Sequence, residues 1–513
     1  MQKIIRNILR RAPENILPPS TISHTHDERA VTRTADPLLY PDLKNLTLKS
    51  SSMVPSFYSW LHKVSPAFPV DANKIKILSQ PADFYSLLLK KCSSAKQRIV
   101  FSSLYLGTGE LEQALIETIR QQMINMQGHL KVTFLFDYCR GSRGTVNSRS
   151  MVAPLLQQQS NLAQVSLYHS AVLRGLLRWI LPQRFNEVVG LQHMKIYIFD
   201  DCLIISGANL SHDYFTNRQD RYVVIEDCPE LANFYSNLIF KVCEFSFQLL
   251  PNGSTTLHST WPPECHPYLG DKNKFVKAAR ERVMSAMVPT FSGAEADIKN
   301  IGADTWVFPL IQMGQLRIQQ DSEVTARLFE QSPPSSKIHL ATGYFNLPKQ
   351  YIDSILSKSQ AQFTILTAHP TTNGFLNASG IAGGIPALYT QVAKEFFHKC
   401  YKLGHQDRVH IKEYIQDGWT YHGKGLWMTL PGQQNPSLTL IGSPNFGSRS
   451  LDRDLETQLA VVTSNPDLQR RLAEERERLY SKGALVTKSV FMQEDRLVPL
   501  WVYCISKVFR RLF

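Results

Sequence analysis

The sequence predicts two α/β lobes, each a mainly parallel sheet flanked by helices, with an active site in the cleft between them. Three observations predict this. The string His193-x-Lys195 in HMKIYIFD recurs as His422-x-Lys424 in HGKGLWMT. Its surrounds recur in the same order: RIVFSSLYLG (98–107) with KIHLATGYFN (337–346), LKVTFLFD (130–137) with AQFTILTA (361–368), and ISGANLS (205–211) with IGSPNFG (441–447). The paired apolar runs are continuous and rich in β-branched and aromatic residues, as in strands covered on both faces. Common order and spacing mark an internal duplication.

Along the chain, residues 1–40 read as a presequence and linker. MQKIIRNILRR has no acid, and Ile4, Ile5, Ile8 and Leu9 share one helical side opposite Lys3, Arg6 and Arg10, which suits mitochondrial import. The first lobe is expected over 41–270, with its motif at 187–213, and a helical connector over 271–335. The second lobe follows at 336–490, with its motif at 416–449. The segment 491–513 ends the chain as an amphipathic helix, with Trp501, Val502, Ile505, Val508, Phe509 and Leu512 on one face and Tyr503, Lys507, Arg510 and Arg511 on the other. LRGLLRWILPQRF (173–185) carries a second apolar stripe. Both have the make-up of helices that lie on an anionic membrane surface, and no apolar run of spanning length occurs.

The repeated residues carry a chemistry. A histidine attacks phosphorus through one ring nitrogen when a carboxylate holds the other, fixing the tautomer and stabilising the developing cation. Asp220 and Glu456, each eleven places beyond the landmark Asn209 or Asn445, are the candidate carboxylates. A lysine two places along a strand shares the histidine's face, so Lys195 and Lys424 neutralise non-bridging phosphate oxygens, with the Asn amides as further donors. Two facing copies supply one nucleophile, His193, and one general acid and base, His422, for a two-step displacement through a phosphohistidine. No metal and no cofactor is needed for this.

These motifs resemble the phospholipase D superfamily over residues 85–465. Within it SLYLGTGELEQAL, RGSRGTVNSR, LRGLLRWILPQRFNEVVGLQHMKIYIFD, SGANLSHDYFTNRQDRYV, TGYFNL, GKGLW and LIGSPNFGSRSLDRDLE are similar to the mitochondrial phosphatidyltransferases that pass a phosphatidyl group from CDP-diacylglycerol to glycerol 3-phosphate. The resemblance implies that reaction, with phosphatidylglycerophosphate and CMP as products on the route to cardiolipin, at the matrix face of the inner membrane. It also groups Asp200, which ends the first motif, with the catalytic residues, as an acid expected to support the fold around the site rather than touch phosphorus. The second motif has Thr429 at that place, whose hydroxyl is expected to make part of the same hydrogen-bond set.

Softer candidates are the loop 103–110, where Gly107, Thr108 and Gly109 suggest a substrate-side or nucleotide-phosphate loop, and Arg140, Arg143 and Arg149, placed to hold a diphosphate or acceptor phosphate. With 56 Lys plus Arg against 43 Asp plus Glu, the net charge of +13 suits phosphate ligands of any kind. The eight cysteines (92, 139, 202, 228, 243, 265, 400 and 504) form no Cys-x-x-Cys pair and read as free thiols. Competing readings are a phosphodiesterase or nuclease with water as acceptor and a non-catalytic scaffold. The stacking arrays that single-stranded nucleic acid requires are not evident, so no nucleic-acid partner is expected.

Overall fold

The computed structural model describes residues 56–175, 178, 189–287, 304–376, 383–499 and 502–503. The expected presequence, most of the stripe at 173–185 and nearly all of the C-terminal stripe lie outside the described residues.

Among the described residues, two nine-stranded sheets carry the fold. The first runs in space Thr255–Leu257 (β11), Phe247–Leu249 (β10), Ala163–Tyr168 (β5), Lys131–Asp137 (β4), Arg98–Ser102 (β3), Ile196–Phe199 (β6), Cys202–Ser206 (β7), Tyr222–Ile225 (β9) and Ile75–Leu78 (β2). The second runs Gly483–Leu485 (β20), Val409–Tyr414 (β15), Gln362–Ala368 (β14), Lys337–Thr342 (β13), Gly425–Thr429 (β17), Leu438–Gly442 (β18), Leu455–Thr463 (β19), Thr305–Met313 (β12) and Phe68–Val70 (β1). From β10 to β2 and from β20 to β12 the two orders correspond strand for strand, so the duplication legible in the motifs is a duplication of the whole sheet.

The α/β expectation holds, but the pairing is mixed rather than mainly parallel. Within the two nine-stranded sheets, the parallel strand pairs among the described residues are those of β3, β4 and β5 and of β13, β14 and β15, whose long crossovers include helices such as Glu110–Asn125, Ser148–Gln158 and Ile385–Lys402. The motif strands pair antiparallel, β6 with β3 and β7, β17 with β13 and β18; β6–β7 and β17–β18 are hairpins, whereas β3 and β13 are joined to their motif strands only through the intervening parallel strands. The domain expectation also shifts. Strand β12, which lies inside the expected connector, is the second sheet's counterpart of β2, each followed by a helix (Gln320–Gln331 and Pro81–Ser94). The second repeat therefore begins near residue 304; TWVFPLIQM is buried along its whole length between β19 and β1, and Pro309 obscures its strand pattern.

Side chains alternate across each sheet as the two-residue period requires. Ile196, Ile198, Leu203, Ile205 and Val223 of the first sheet share one core with Val307, Ile311, Ile441, Leu455, Leu459 and Val461 of the second, with the helix Pro229–Glu244 packed among them. The opposite faces, with Tyr197, Phe199 and Ile204 or with Leu426, Leu440 and Ala460, close separate outer cores under each lobe's own helices. Within this apolar setting Arg221 and Glu475 are fully buried and bonded to each other through two N–H···O contacts of 2.9 and 2.8 Å. The guanidinium also donates to Leu440 O and Thr439 Oγ1 and lies 3.8 Å from the centre of the Trp427 ring. A buried charge pair persists when its hydrogen bonds are complete, and this one ties the segment after β8 (Arg218–Gln219) to the second lobe.

Candidate active site

Each histidine stands on a segment borrowed by the other lobe's backbone. The extended run before β6 makes a parallel bridge to the start of β19: His193 N–H donates to Leu455 O at 2.9 Å, and Leu455 N–H donates to Leu191 O at 2.7 Å. At the other end of the site β8 pairs in parallel with Thr420–Tyr421 (β16), and His422 N–H donates to Gln219 O at 2.8 Å. Leu455 precedes Glu456 and Gln219 precedes Asp220, so each bridge presents the next side chain to the neighbouring imidazole.

The carboxylates therefore cross between lobes. His193 Nδ1 lies 3.0 Å from both oxygens of Glu456, and His422 Nδ1 lies 2.7 Å from Asp220 Oδ2. All four groups are buried. Both lysines curl back along their strands: Lys195 Nζ donates to His193 O at 2.6 Å and Lys424 Nζ to His422 O at 2.8 Å. Lys424 Nζ is also 2.7 Å from His422 Nδ1 and 3.5 Å from Asp220 Oδ2. Gly207 makes this close approach feasible, since a Cβ there would stand 2.6 Å from both Asp220 Oδ1 and Lys424 Nζ.

The outward nitrogens differ. No described residue bonds Nε2 of His193, whereas Nε2 of His422 accepts from the Tyr214 hydroxyl at 3.3 Å. Tyr214 receives Asn209 Nδ2 at 3.2 Å, and Tyr344, stacked on Tyr389, sets its ring edge-to-face against His422. Oδ1 of Asn209 and of Asn445 is buried with no hydrogen-bond partner among the described residues, which leaves polar capacity for a ligand.

Burial dominates the electrostatics. It pushes both imidazoles well below the usual histidine range, reinforced by the lysine charges, and so favours the neutral rings. It lowers Lys195 and Lys424 against the pull of Glu456 and Asp220, raises Asp220, and raises Glu456 to about 7. An anionic phosphodiester entering among these groups would favour their protonated forms. A ring nitrogen of His193 and carboxylate oxygens of Asp454 and Glu456 lie within 4.8 Å of one another, a set that could hold a metal ion.

Several expected site residues lie elsewhere. Asp200 sits at the far end of the β6–β7 hairpin with φ +49°, and its carboxylate accepts from the N–H groups of Lys96, Gln97 and Arg98. Its place in the motif reflects a fold anchor, because a strand extends about 3.3 Å per residue away from His193. Thr429 Oγ1 does not replace that anchor: it is buried without a partner among the described residues, and a turn closed by Ser336 N–H to Pro333 O precedes β13 instead. The loop at Gly107, Thr108 and Gly109 starts a helix, but the Glu112 side chain closes against Gly107 and accepts from His212 N–H, so an acid occupies the expected phosphate cradle.

Of the loop arginines, Arg140 lies 4.2 Å over the Tyr105 ring, and Tyr105 is the repeat counterpart of Tyr344. Arg149 turns to Gly253 O and Ser142 instead, and Arg143 passes its backbone N–H to Arg140 O. Residues not foreseen are Tyr214, Tyr389, Arg218, Arg449 and Asp454. Arg218 and Asp454 each lie two places before an orienting carboxylate and thus on its face of the strand, a signal open to the same period-two reasoning.

No family model matches the chain. It is 42% identical over 505 residues to the human protein named CDP-diacylglycerol–glycerol-3-phosphate 3-phosphatidyltransferase, mitochondrial, covering 93% of this chain and 90% of that one. A Dictyostelium discoideum protein named as a probable enzyme of the same kind is 36% identical over 468 residues, covering 88% and 79%. Among solved structures, phosphatidylserine synthase from Haemophilus influenzae superposes with a TM-score of 0.67 at 20% identity, covering 89% of this chain and 98% of that one, a likeness of fold.

Proposed function

This chain belongs to the CDP-diacylglycerol–glycerol-3-phosphate 3-phosphatidyltransferase family, and from that membership we propose how its paired lobes perform the transfer. The chain makes phosphatidylglycerophosphate and CMP from CDP-diacylglycerol and glycerol 3-phosphate. The observation that carries the mechanism is the crossed pairing of His193 with Glu456 and of His422 with Asp220.

In the first step Nε2 of His193 attacks the phosphorus bearing the diacylglycerol. The N–P bond forms, the P–O bond to CMP breaks, and Glu456 stabilises the cation that develops on the ring. His422, protonated under the influence of the bound anion, gives its proton to the departing phosphate oxygen. In the second step a hydroxyl of glycerol 3-phosphate passes its proton to His422 while its oxygen attacks phosphorus, forming the ester and releasing neutral His193. Lys195, Lys424, Asn209 and Asn445 hold the non-bridging oxygens throughout. The free Nε2 of His193 and the tyrosine-bonded Nε2 of His422 support this division of roles.

We place the protein in the mitochondrion, as its curated relatives are named, held peripherally at the matrix face of the inner membrane. No helix among the described residues is long and apolar enough to cross a membrane. The test supplies CDP-diacylglycerol labelled in its phosphatidyl group with glycerol 3-phosphate, glycerol, phosphatidylglycerol or water. Labelled phosphatidylglycerophosphate from the first arm is the expected product; phosphatidic acid in every arm would overturn the transferase reading in favour of a hydrolase.

A further inference from the structure

The two halves of the site share positions but not polarity. Counting from the landmark Asn, the fourth and ninth places are Asp213 and Arg218 in the first copy and Arg449 and Asp454 in the second. Both couples are ion pairs at 2.9 Å, Arg218 Nη2 to Asp213 Oδ2 and Arg449 Nε to Asp454 Oδ2. The charges are exchanged, and so is the buried member. In the first copy the cation is inside, with Arg218 14% and Asp213 54% exposed; in the second the anion is inside, with Asp454 3% and Arg449 26% exposed.

Because the bridges cross, Arg218 accompanies Asp220 to the His422 half of the cleft and Asp454 accompanies Glu456 to the His193 half. Asp454 there accepts Leu191 N–H at 2.9 Å, shaping the backbone before His193. Arg218 is built in on several sides. Its Nε donates to Thr420 Oγ1 at 3.0 Å, its guanidinium lies 4.8 Å over the ring of Tyr214, and Gly374 leaves room beside Nη2 and the Tyr344 hydroxyl. Its Nη1 has no partner among the described residues. The same Tyr214 bonds Nε2 of His422, so a ligand held by Nη1 lies next to the acid and base.

We propose that Arg218 seats a phosphomonoester, and that this one seat is used in turn by the departing CMP and by the phosphate of the entering glycerol 3-phosphate. The proposal rests on the transferase reading above. A two-step transfer vacates the nucleotide's place before the acceptor arrives, and the two ligands share the dianionic phosphate that a guanidinium recognises. The reversed ion pair makes an otherwise two-fold site directional: the cationic half receives the mobile anions, and the anionic half keeps the phosphatidyl group on His193.

The test uses the full chain with CDP-diacylglycerol in mixed micelles. Arg218→Gln is expected to raise KM for glycerol 3-phosphate and the inhibition constant of CMP together, each by roughly tenfold or more. It should lower the preference for glycerol 3-phosphate over glycerol by a similar factor, and Arg218→Lys should recover part of both. A merely structural role slows both acceptors alike and leaves the preference unchanged, which overturns the proposal. Weakening of one phosphomonoester with the other unaffected overturns the shared seat. Failure of the wild-type chain to form phosphatidylglycerophosphate at all is a separate result and counts against the transferase reading instead.

Discussion

Glu456→Gln probes the crossed pairing directly. Glutamine keeps an acceptor for Nδ1–H of His193 but removes the charge that offsets the phosphorylated ring. A hydrogen bond to a charged group contributes about 1.5–3 kcal/mol against about 0.5–1.5 kcal/mol for a neutral one. The difference of about 1–2 kcal/mol corresponds to roughly a 5- to 30-fold slower first step. The assay is a rapid-quench burst of CMP release, with the labelled phosphatidyl adduct trapped under alkaline conditions and mapped to His193. Since burial raises Glu456 to about 7, the wild-type burst rate should climb with pH through about 7, and the glutamine variant should lose that limb. The sign for stability is opposite. A carboxyl whose folded pKa is raised from 4.5 stabilises the fold below pH 4.5 and loses that contribution as pH rises through 7. If Asp220→Asn slows formation of a His193 adduct while Glu456→Gln leaves it within threefold of wild type, the crossed pairing is wrong.

Gly207→Ala should abolish most activity, because the new methyl meets Asp220 and Lys424 at 2.6 Å; a rate near wild type would show that the pair has slack. Asp200→Ala should lower the thermal midpoint by the equivalent of about 1–3 kcal/mol through its orphaned N–H groups, with kcat intact below the transition, whereas a thousandfold loss of kcat would restore the residue to the chemistry. Exhaustive chelation should leave turnover in place, and loss recovered only on adding a divalent ion would point to occupation of the His193, Asp454 and Glu456 set. Deleting residues 500–513 should leave the cleft active toward detergent-dispersed substrate while reducing co-sedimentation with anionic vesicles; unchanged co-sedimentation moves the docking surface to 173–185.

What was legible in the sequence is what repeats locally. His-x-Lys, the landmark Asn and the following acid recur at fixed intervals, so the groups that the fold brings together around the two histidines are legible in the sequence alone. Which carboxylate serves which histidine was not legible, since it depends on two parallel bridges between segments 263 and 202 residues apart in sequence. Asp200 lies a full strand away from His193 and holds the backbone at Lys96, Gln97 and Arg98, a supporting place that the motif spacing alone does not reveal. Gly107 and Gly109 looked like a phosphate loop until Glu112, one helical turn on, filled the space. Tyr214 reaches His422 from the short helix His212–Thr216 and Tyr344 from the loop after β13, approaches that only the packed lobes determine.

Strand β1 pairs with β12 at Phe68 to Val307 and Val70 to Thr305, and the short helix Ser56–Lys63 that precedes it packs Tyr58 and Leu61 into the second lobe's outer core. The beginning of the described chain is thus the last edge of its later half. Until it docks, β12 offers a long, apolar, unpaired backbone edge, the kind of template on which another molecule's strand can add. A product cut short before residue 305 has no partner for β1, and one clipped after it leaves β12 open. Both are predisposed to aggregate, so intactness of the polypeptide is registered at a sheet edge rather than in the catalytic cleft.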